Sequence, residues 1–309
     1  MFQDILVPLD GSSRAEQVLP VAARLAQITD GTVSLLQAVW PPSVYMASVG
    51  EVVLPDILDE TVPAAKEYLE SVAKKSSLEG VRTETQVVIG HPAEAIIAAS
   101  NADNTDLIVM CSHGHTGEMR WSMGSIAEKV ARHVSSPVLI LYEDCALLEE
   151  IAAIPRSSVR ILVPLDGSQH AEVAVAKAAM LATAISAQGE LHLTHVVSSR
   201  GNKVSSIDEE LEKARHYLRT FRDRMQHHML SNVGVSPDLA YTWSVTMADD
   251  VASGIMQAAE GSARGKDAVG CQVIAMTARG RSGQQLWSLG STTERVLQSA
   301  RQPLFIVHG

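Results

Sequence analysis

Cysteine is scarce in this chain of 309 residues, which contains only Cys111, Cys145 and Cys271. An odd number of cysteines without paired spacing excludes a disulfide framework as the source of stability and indicates a reducing compartment. A basic leader and long apolar runs are also lacking, since no stretch approaches the ~20 apolar residues of a membrane span. These absences predict a cytoplasmic protein that does not contact a membrane.

Basic residues are also fewer than acidic residues. The chain has 25 Lys and Arg against 35 Asp and Glu, which gives a formal net charge of −10 at pH 7. Nucleic-acid binding requires clustered basic side chains that displace counterions from the phosphate backbone. Nucleic acid is therefore not an expected partner, and we interpret the acidic balance as a source of solubility.

A repeat is the most informative feature that the chain does contain. The phrase Ile5-Leu-Val-Pro-Leu-Asp-Gly-Ser12 returns unchanged as Ile161-Leu-Val-Pro-Leu-Asp-Gly-Ser168, 156 residues downstream. That distance is about the size of one ordinary domain. The sequence therefore predicts two copies of one module.

Hydrophobic periodicity predicts the same order of elements in both copies. In the first copy, strands are expected over 5–9, 33–39, 82–89, 107–111 and 138–141, and helices over 12–28, 56–76, 93–99 and 125–133. In the second copy, strands are expected over 160–165, 190–197, 238–245, 273–277 and 304–307, with helices between them. Because each parallel crossover needs a helix to return the chain, this alternation predicts an α/β fold: two doubly wound, Rossmann-like domains, each with a mostly parallel sheet and helices on both faces.

The segment between the copies reads as a linker. Residues 145–158 contain a proline, two serines and an acidic pair, and nothing that sustains a strand. We therefore predict domains over 1–144 and 159–309. The second copy also carries a glycine-rich insertion over 261–266, which fails the Walker spacing and is interpreted as a flexible loop.

The ends of the strands hold the candidate site residues, because ligands of open doubly wound sheets bind outside the carboxyl ends of the strands. Asp10 and its counterpart Asp166 each end the first strand of a copy, just before a Gly-Ser pair. Such a carboxylate can accept hydrogen bonds from a sugar or a base. It can equally form the turn and help to cap the helix that follows.

A second strand end is followed by a glycine-rich loop in both copies. Cys111-Ser-His-Gly114 is followed after nine residues by Gly124-Ser125, and Thr277-Ala-Arg-Gly280 is followed after nine residues by Gly290-Ser291. A Gly-Ser pair at the start of a helix places backbone N–H groups and a hydroxyl where an anion can bind. Glycine also lets the main chain approach phosphate oxygens closely.

With these motifs the sequence resembles the universal stress protein family in its tandem two-domain form. The resemblance covers nearly the whole chain, including the closing Ser136-Pro137 and Gln302-Pro303 strands. It implies a five-stranded parallel sheet of the adenine nucleotide alpha hydrolase-like type in each domain, binding ATP or a related adenine nucleotide with Mg or Mn. The residues implied are Asp10, Ala38, Val39, Met110, Cys111, Gly114, Gly124 and Ser125, and in the second copy Asp166, Val196, Val197, Met276, Thr277, Gly280, Gly290 and Ser291.

By position, the aspartates would meet the ribose or adenine, the ends of the second strands would line the base, and the glycines and serines would cradle ribose and phosphates. One departure stands out, because the first glycine of the family's loop motif is Cys111 in one copy and Thr277 in the other. Cysteine is small enough to fit, whereas β-branched threonine is costly if the position needs a positive φ. The first copy is therefore favoured for ATP.

Three classes of function are weighed. The leading hypothesis is a stress-response regulatory protein in which nucleotide occupancy changes a surface that protein partners read. The alternatives are an interaction scaffold that binds no nucleotide and, less favoured, a slow ATP hydrolase. The sequence shows no Walker lysine and no spacing that supports a Ser-His-Asp triad, so no catalytic residue is assigned. His192 and His195 point to opposite faces of one strand, so no metal site of protein ligands alone is assigned either.

The last strand of each copy is a candidate for pairing, since the family to which the resemblance points usually dimerises through these edges. The candidate strands span 138–142 and 304–308. Covering an apolar edge strand also removes an aggregation hazard. We expect the two copies to pack as an internal pseudo-dimer, with homodimerisation as a further expectation.

Overall fold

The structure is a computed structural model. It describes residues 2–40, 54–114, 123–143, 145, 147, 159–186, 188–200, 204–228, 236, 238–261, 270–280 and 289–308. Apart from Cys145 and Leu147, which are both buried, the predicted linker 145–158 lies outside these residues. The same holds for the glycine-rich insertion beyond Gly261.

The strands are five in each half of the described chain. In the first half they are β1 (Asp4–Leu9), β2 (Thr32–Val39), β3 (Arg82–Ile89), β4 (Leu107–Cys111) and β5 (Val138–Leu141). In the second half they are β6 (Arg160–Pro164), β7 (Glu190–Ser198), β8 (Ala240–Ala248), β9 (Val273–Thr277) and β10 (Leu304–Val307). The central strands are buried along their whole length, which explains their continuous apolar runs.

The helices follow the strands in the same order in both halves. The first half contains α1 (Ser13–Glu16), α2 (Leu19–Thr29), α3 (Leu54–Ala73), α4 (Pro92–Ala102) and α5 (Ser125–His133). The second half contains α6 (Gln169–Ile185), α7 (Val204–His228), α8 (Val251–Ala259) and α9 (Ser291–Ser299). A short 3-10 turn, Ser76–Leu78, follows α3.

One helix departs from its prediction. The segment predicted as one helix over 12–28 is two helices, because Pro20 stands in the first turn of α2 and has no N–H to continue the ladder from α1. The second half has Ala176 at the matching position, and there α6 is continuous. The remaining boundaries shift by a few residues; β8, for example, extends to Ala248 rather than 245.

The strand order in the sheet is β3-β2-β1-β4-β5-β10-β9-β6-β7-β8. Within each half all pairs are parallel, and the order reverses beside the first strand, so that β1 lies between β2 and β4. Right-handed crossovers then place α2 and α3 on one face and α4 and α5 on the other. This arrangement confirms the predicted doubly wound α/β fold and opens a crevice at the carboxyl ends of β1 and β4.

The two halves join through their last strands. Strand β10 pairs with β5 in antiparallel register, with Phe305 opposite Leu139. The ring of Phe305 also meets Phe2 edge to face, with the centroids 6.1 Å apart. On one face, α2 packs against α6. The structure thus confirms the predicted pairing of the last strands and makes one continuous sheet of both halves.

Candidate functional site

The turn after β1 is built by three consecutive residues. Oδ1 of Asp10 accepts hydrogen bonds from the backbone N–H of Ser12 at 3.0 Å and from its hydroxyl at 2.6 Å. The Ser12 Oγ in turn accepts from the N–H of Ala15 at 3.1 Å and caps α1. Gly11 has φ +87°, a conformation that favours glycine. The cap is therefore the serine, and one oxygen of the aspartate holds the turn.

The second half repeats this turn closely. Oδ1 of Asp166 accepts from the N–H and the hydroxyl of Ser168 at 2.9 and 2.6 Å. Ser168 Oγ accepts from the N–H of Ala171 at 3.2 Å, and Gly167 has φ +84°. The repeated phrase thus produces the same local hydrogen bonds twice.

The loop after β4 lies against this turn. A Cβ on Gly114 would overlap Oδ2 of Asp10, and a Cβ on Gly280 would lie 2.6 Å from Oδ2 of Asp166. The two segments that the sequence singles out separately therefore meet at the switch point of each half. The rest of each loop, residues 115–122 and 281–288, lies outside the described residues.

The helices that follow these loops begin without a side-chain cap. Gly124 is the N-cap of α5 and Gly290 the N-cap of α9, and neither supplies a side-chain hydrogen bond to the first turn. By contrast, Ser12, Ser168 and Asp250 cap α1, α6 and α8 with their side chains. The backbone N–H groups at the start of α5 and α9 are thus suited to an anion.

A cleft of about 240 Å³ lies above the switch point of the first half. Seven of the eight predicted residues line it, namely Asp10, Ala38, Met110, Cys111, Gly114, Gly124 and Ser125. Val39 ends β2 but is not among the lining residues. Sequence reasoning missed Pro92 and Ile96, which close the side of the cleft from α4. No feature of the sequence indicates that α4 packs beside the end of β2. Only the structure therefore shows that Pro92 and Ile96 line the cleft.

A larger cleft of about 790 Å³ lies at the matching place in the second half. All eight predicted residues line it, namely Asp166, Val196, Val197, Met276, Thr277, Gly280, Gly290 and Ser291. It also includes residues that sequence reasoning did not assign, among them His195 and, from α7, Glu210, Lys213 and Tyr217. The apolar stripe of a long amphipathic helix predicts packing and gives no sign that its edge reaches a cleft.

The position at which the family's loop motif has its first glycine shows no backbone strain in this chain. Cys111 and Thr277 are the last residues of β4 and β9, and neither is among the described non-glycine residues with positive φ. The threonine hydroxyl donates to the carbonyl oxygen of Arg279 at 2.5 Å, and the threonine carbonyl accepts from Thr293 Oγ1 at 3.0 Å. The condition under which threonine would be costly is therefore not met.

For four ionisable groups in and near the clefts, burial is the first cause of the shift in pKa. Burial raises the pKa of the Cys111 thiol, which makes it a poor nucleophile. Burial, followed by the charge of Arg14, lowers the pKa of His113. The pKa values of Tyr68 and Tyr217 are raised first by burial and then by the carboxylates of Glu16 and Glu172. Both tyrosines thus stay protonated hydrogen-bond donors at neutral pH.

A Ser-His contact away from the clefts does not form a catalytic pair. Nε2 of His192 lies 2.8 Å from Ser244 Oγ, and Nδ1 lies 2.8 Å from a guanidinium nitrogen of Arg160. Because the guanidinium can only donate, Nδ1 accepts and the ring proton resides on Nε2. A base for Ser244 would need the lone pair at Nε2, so this geometry cannot activate the serine.

The described part of the chain also bears on metals and membranes. Within it, no group of three or more His, Cys, Asp or Glu side chains is placed to hold a metal ion. No described helix is both long and apolar enough to cross a bilayer. Any cation at the clefts would therefore need further ligands beyond the strand-end aspartate.

Comparison with known proteins gives consistent matches. The sequence signature of the Universal stress protein family matches residues 1–141 and again residues 159–308. A universal stress protein of Mycolicibacterium smegmatis is 24% identical over 314 residues, covering 98% of this chain and 96% of the relative. A universal stress protein of Bacillus subtilis is 29% identical over 147 residues, covering 46% of this chain and 99% of the relative.

The fold is also shared with a solved structure. The crystal structure of a universal stress protein from Archaeoglobus fulgidus superposes with a TM-score of 0.67 at 22% identity, covering 98% of this chain and 97% of that one. Both matched segments contain a strand-end aspartate and a glycine loop that meet at a switch point. The chain belongs to the universal stress protein family and carries two of its domains in tandem.

Proposed function

We propose that the protein binds ATP or a related adenine nucleotide at the carboxyl edge of the sheet in one or both halves. The observation that carries the proposal is the pairing of Asp10 and Asp166 with glycine loops, each leading to a helix that begins without a side-chain cap. The carboxylate is suited to the hydroxyls of a ribose, and the free helix start is suited to phosphate. Apolar side chains between them would contact the base.

The proposed role is regulatory and cytoplasmic. Occupancy of the clefts would change a surface that protein partners read. The proposal includes no hydrolysis, because Lys213, the lysine among the described residues that line the clefts, pairs with Glu209 and not with a helix start. Mg²⁺ or Mn²⁺ would be bound mainly by phosphate oxygens and water, since each turn offers a single carboxylate.

The direct test is nucleotide analysis of the purified full chain. We expect acid extraction followed by chromatography to release an adenine nucleotide, and calorimetric titration of the emptied protein with ATP, with and without Mg²⁺, to show saturable heat. The absence of bound nucleotide together with no heat at millimolar ATP would overturn the proposal and favour the scaffold alternative. Steady phosphate release that disappears in Gly124→Val or Gly290→Val would instead indicate the hydrolase. Light scattering of the same preparation tests the expected homodimer.

A further inference from the structure

We propose that the two clefts are not equivalent and that the second half holds the base-selective site, because α7 adds a wall that the described residues of the first half lack. This inference rests on the proposed nucleotide binding. It adds which half recognises the base, and which side chains do so.

The register between the long helices of the two halves is fixed by a repeated contact. The hydroxyl of Tyr68 in α3 donates to Glu16 at 3.1 Å, and the hydroxyl of Tyr217 in α7 donates to Glu172 at 3.0 Å. Seven residues after each tyrosine, a basic side chain pairs with the same glutamate, Lys75 in the first half and Arg224 in the second. Tyr68 and Tyr217 are therefore structural counterparts.

Only the second of these tyrosines lines a cleft. Tyr217 borders the cleft of the second half together with Lys213, one turn earlier, and Glu210. Their counterparts in α3 are Thr61, Ala64 and Tyr68, and none of these three is among the lining residues of the first cleft. The two counterpart helices therefore differ in role: α7 lines a cleft, whereas these positions of α3 do not.

An aromatic corner completes this wall. His195 on β7 also lines the second cleft, and its ring meets that of Tyr217 with centroids 6.3 Å apart and planes at 70°. The matching residue on β2 is Gln37, which offers no ring. Tyr217 is held from behind by Phe221 at 6.0 Å, over which the guanidinium of Arg224 lies at 4.9 Å. The ring is therefore fixed in place before any ligand arrives.

The dimensions agree with this assignment. The second cleft, at about 790 Å³, falls within the usual range for small-molecule sites of about 300–1,000 Å³, whereas the first, at about 240 Å³, falls below it. An aromatic corner is suited to a planar purine, and the start of α9 in the same cleft is suited to its phosphates. Although cysteine at position 111 favours the first half on sequence grounds, the geometry assigns base recognition to the second.

The test compares a ligand that has a base with one that does not. ATP and inorganic tripolyphosphate are titrated into the wild-type chain and into Tyr217→Leu and Tyr217→Phe by calorimetry. We expect Tyr217→Leu to lower the affinity for ATP at one class of site about tenfold, which is the usual effect of losing an aromatic partner of a base. Tripolyphosphate affinity should stay unchanged, and Tyr217→Phe should stay close to wild type.

Tyr68→Leu is the matched control, because it removes the same contact with a glutamate from the first half. If Tyr217→Leu lowers the affinities for ATP and tripolyphosphate equally, Tyr217 acts only through packing and the inference is wrong. The same conclusion follows if Tyr68→Leu lowers the affinity for ATP as much as Tyr217→Leu does. Thermal melts of each variant show whether the fold is retained; for an unfolded Tyr217→Leu, His195→Gln replaces it, with the same expected loss of ATP affinity. An absence of ATP binding by the wild-type chain would instead overturn the proposed function itself.

Discussion

Gly114 lies so close to Asp10 that a Cβ on residue 114 would overlap the aspartate's Oδ2. The other carboxylate oxygen already accepts two hydrogen bonds from Ser12. The aspartate therefore links the turn after β1 to the loop after β4, two segments more than a hundred residues apart. The same relationship recurs between Gly280 and Asp166 with slightly more space, at 2.6 Å.

The helix-capping glycines should differ in their tolerance to alanine. A Cβ on Gly124 would lie 2.5 Å from the carbonyl oxygen of Ser112, whereas a Cβ on Gly290 meets nothing closer than 3.6 Å. We expect Gly124→Ala to cost about 1–3 kcal/mol in the free energy of unfolding and Gly290→Ala to cost almost nothing. Urea unfolding of the two variants measures this, and equal losses would contradict the geometry.

The charge of Asp10 should matter for binding more than for folding. Asparagine keeps a side-chain oxygen that can accept from Ser12, so Asp10→Asn should unfold near the wild-type temperature. The loss of a charged acceptor for a ribose hydroxyl should lower the affinity for ATP at the first site several-fold. Asp30→Asn is the matched control, since this exposed residue ends α2 at φ +52°, which asparagine tolerates. A large drop in melting temperature for Asp10→Asn would assign the aspartate to structure alone.

Acid should destabilise the protein through His192. Burial, and then the charge of Arg160, lowers the pKa of this histidine from 6.5 to about 4. Between these values the unfolded chain binds a proton that the folded chain does not, so the free energy of unfolding falls as the pH drops through this window.

Unfolding titrations of His192→Gln from pH 7 to 4 should therefore show a weaker pH dependence than the wild type. His216→Gln, which changes an exposed residue on α7, should leave the dependence as it is. Parallel curves for the wild type and His192→Gln would show that other groups carry the effect.

One arginine connects the two halves electrostatically. Arg132 on α5 pairs with Glu128 on its own helix and with Glu294 on α9, each at 2.9 Å. All three side chains are partly exposed, so Arg132→Met should cost no more than about 1 kcal/mol, and less at high salt. Arg215→Met, which breaks a local pair with Glu212, serves as control. A loss of several kcal/mol would show that the halves depend on this arginine more than on the β5–β10 pair.

The three cysteines should be unreactive in the folded protein. Cys111, Cys145 and Cys271 are all buried, and none of the three forms a disulfide. Burial raises the pKa of Cys271 to about 11, so the thiolate that reacts is rare at neutral pH. A thiol reagent added at pH 7 should modify the native chain slowly and all three cysteines rapidly in concentrated urea. Rapid reaction of even one thiol in the native state would contradict the described packing.

The sequence by itself determined the module and its repetition. The alternation of apolar runs with helical patterns, together with the repeated eight-residue phrase, predicts two doubly wound α/β domains, and the structure confirms them. The strand-end and glycine-loop motifs carry the resemblance to the family, which the comparisons confirm. These features are readable because turns, caps and strand patterns depend on residues close in the chain. The cap is an example, since Ser12 and Ala15 are three residues apart.

Tertiary structure decided what surrounds each strand end. The packing of distant helices on the sheet determines which residues line each cleft. Pro92 closes the first cleft, and Val39 does not line it. Tyr217 lines the second cleft, whereas Tyr68 lines neither. The two long helices have the same tyrosine and the same glutamate partner, yet they meet their clefts differently. Their neighbours along the helix differ, and only three-dimensional packing converts those differences into the wall of a site.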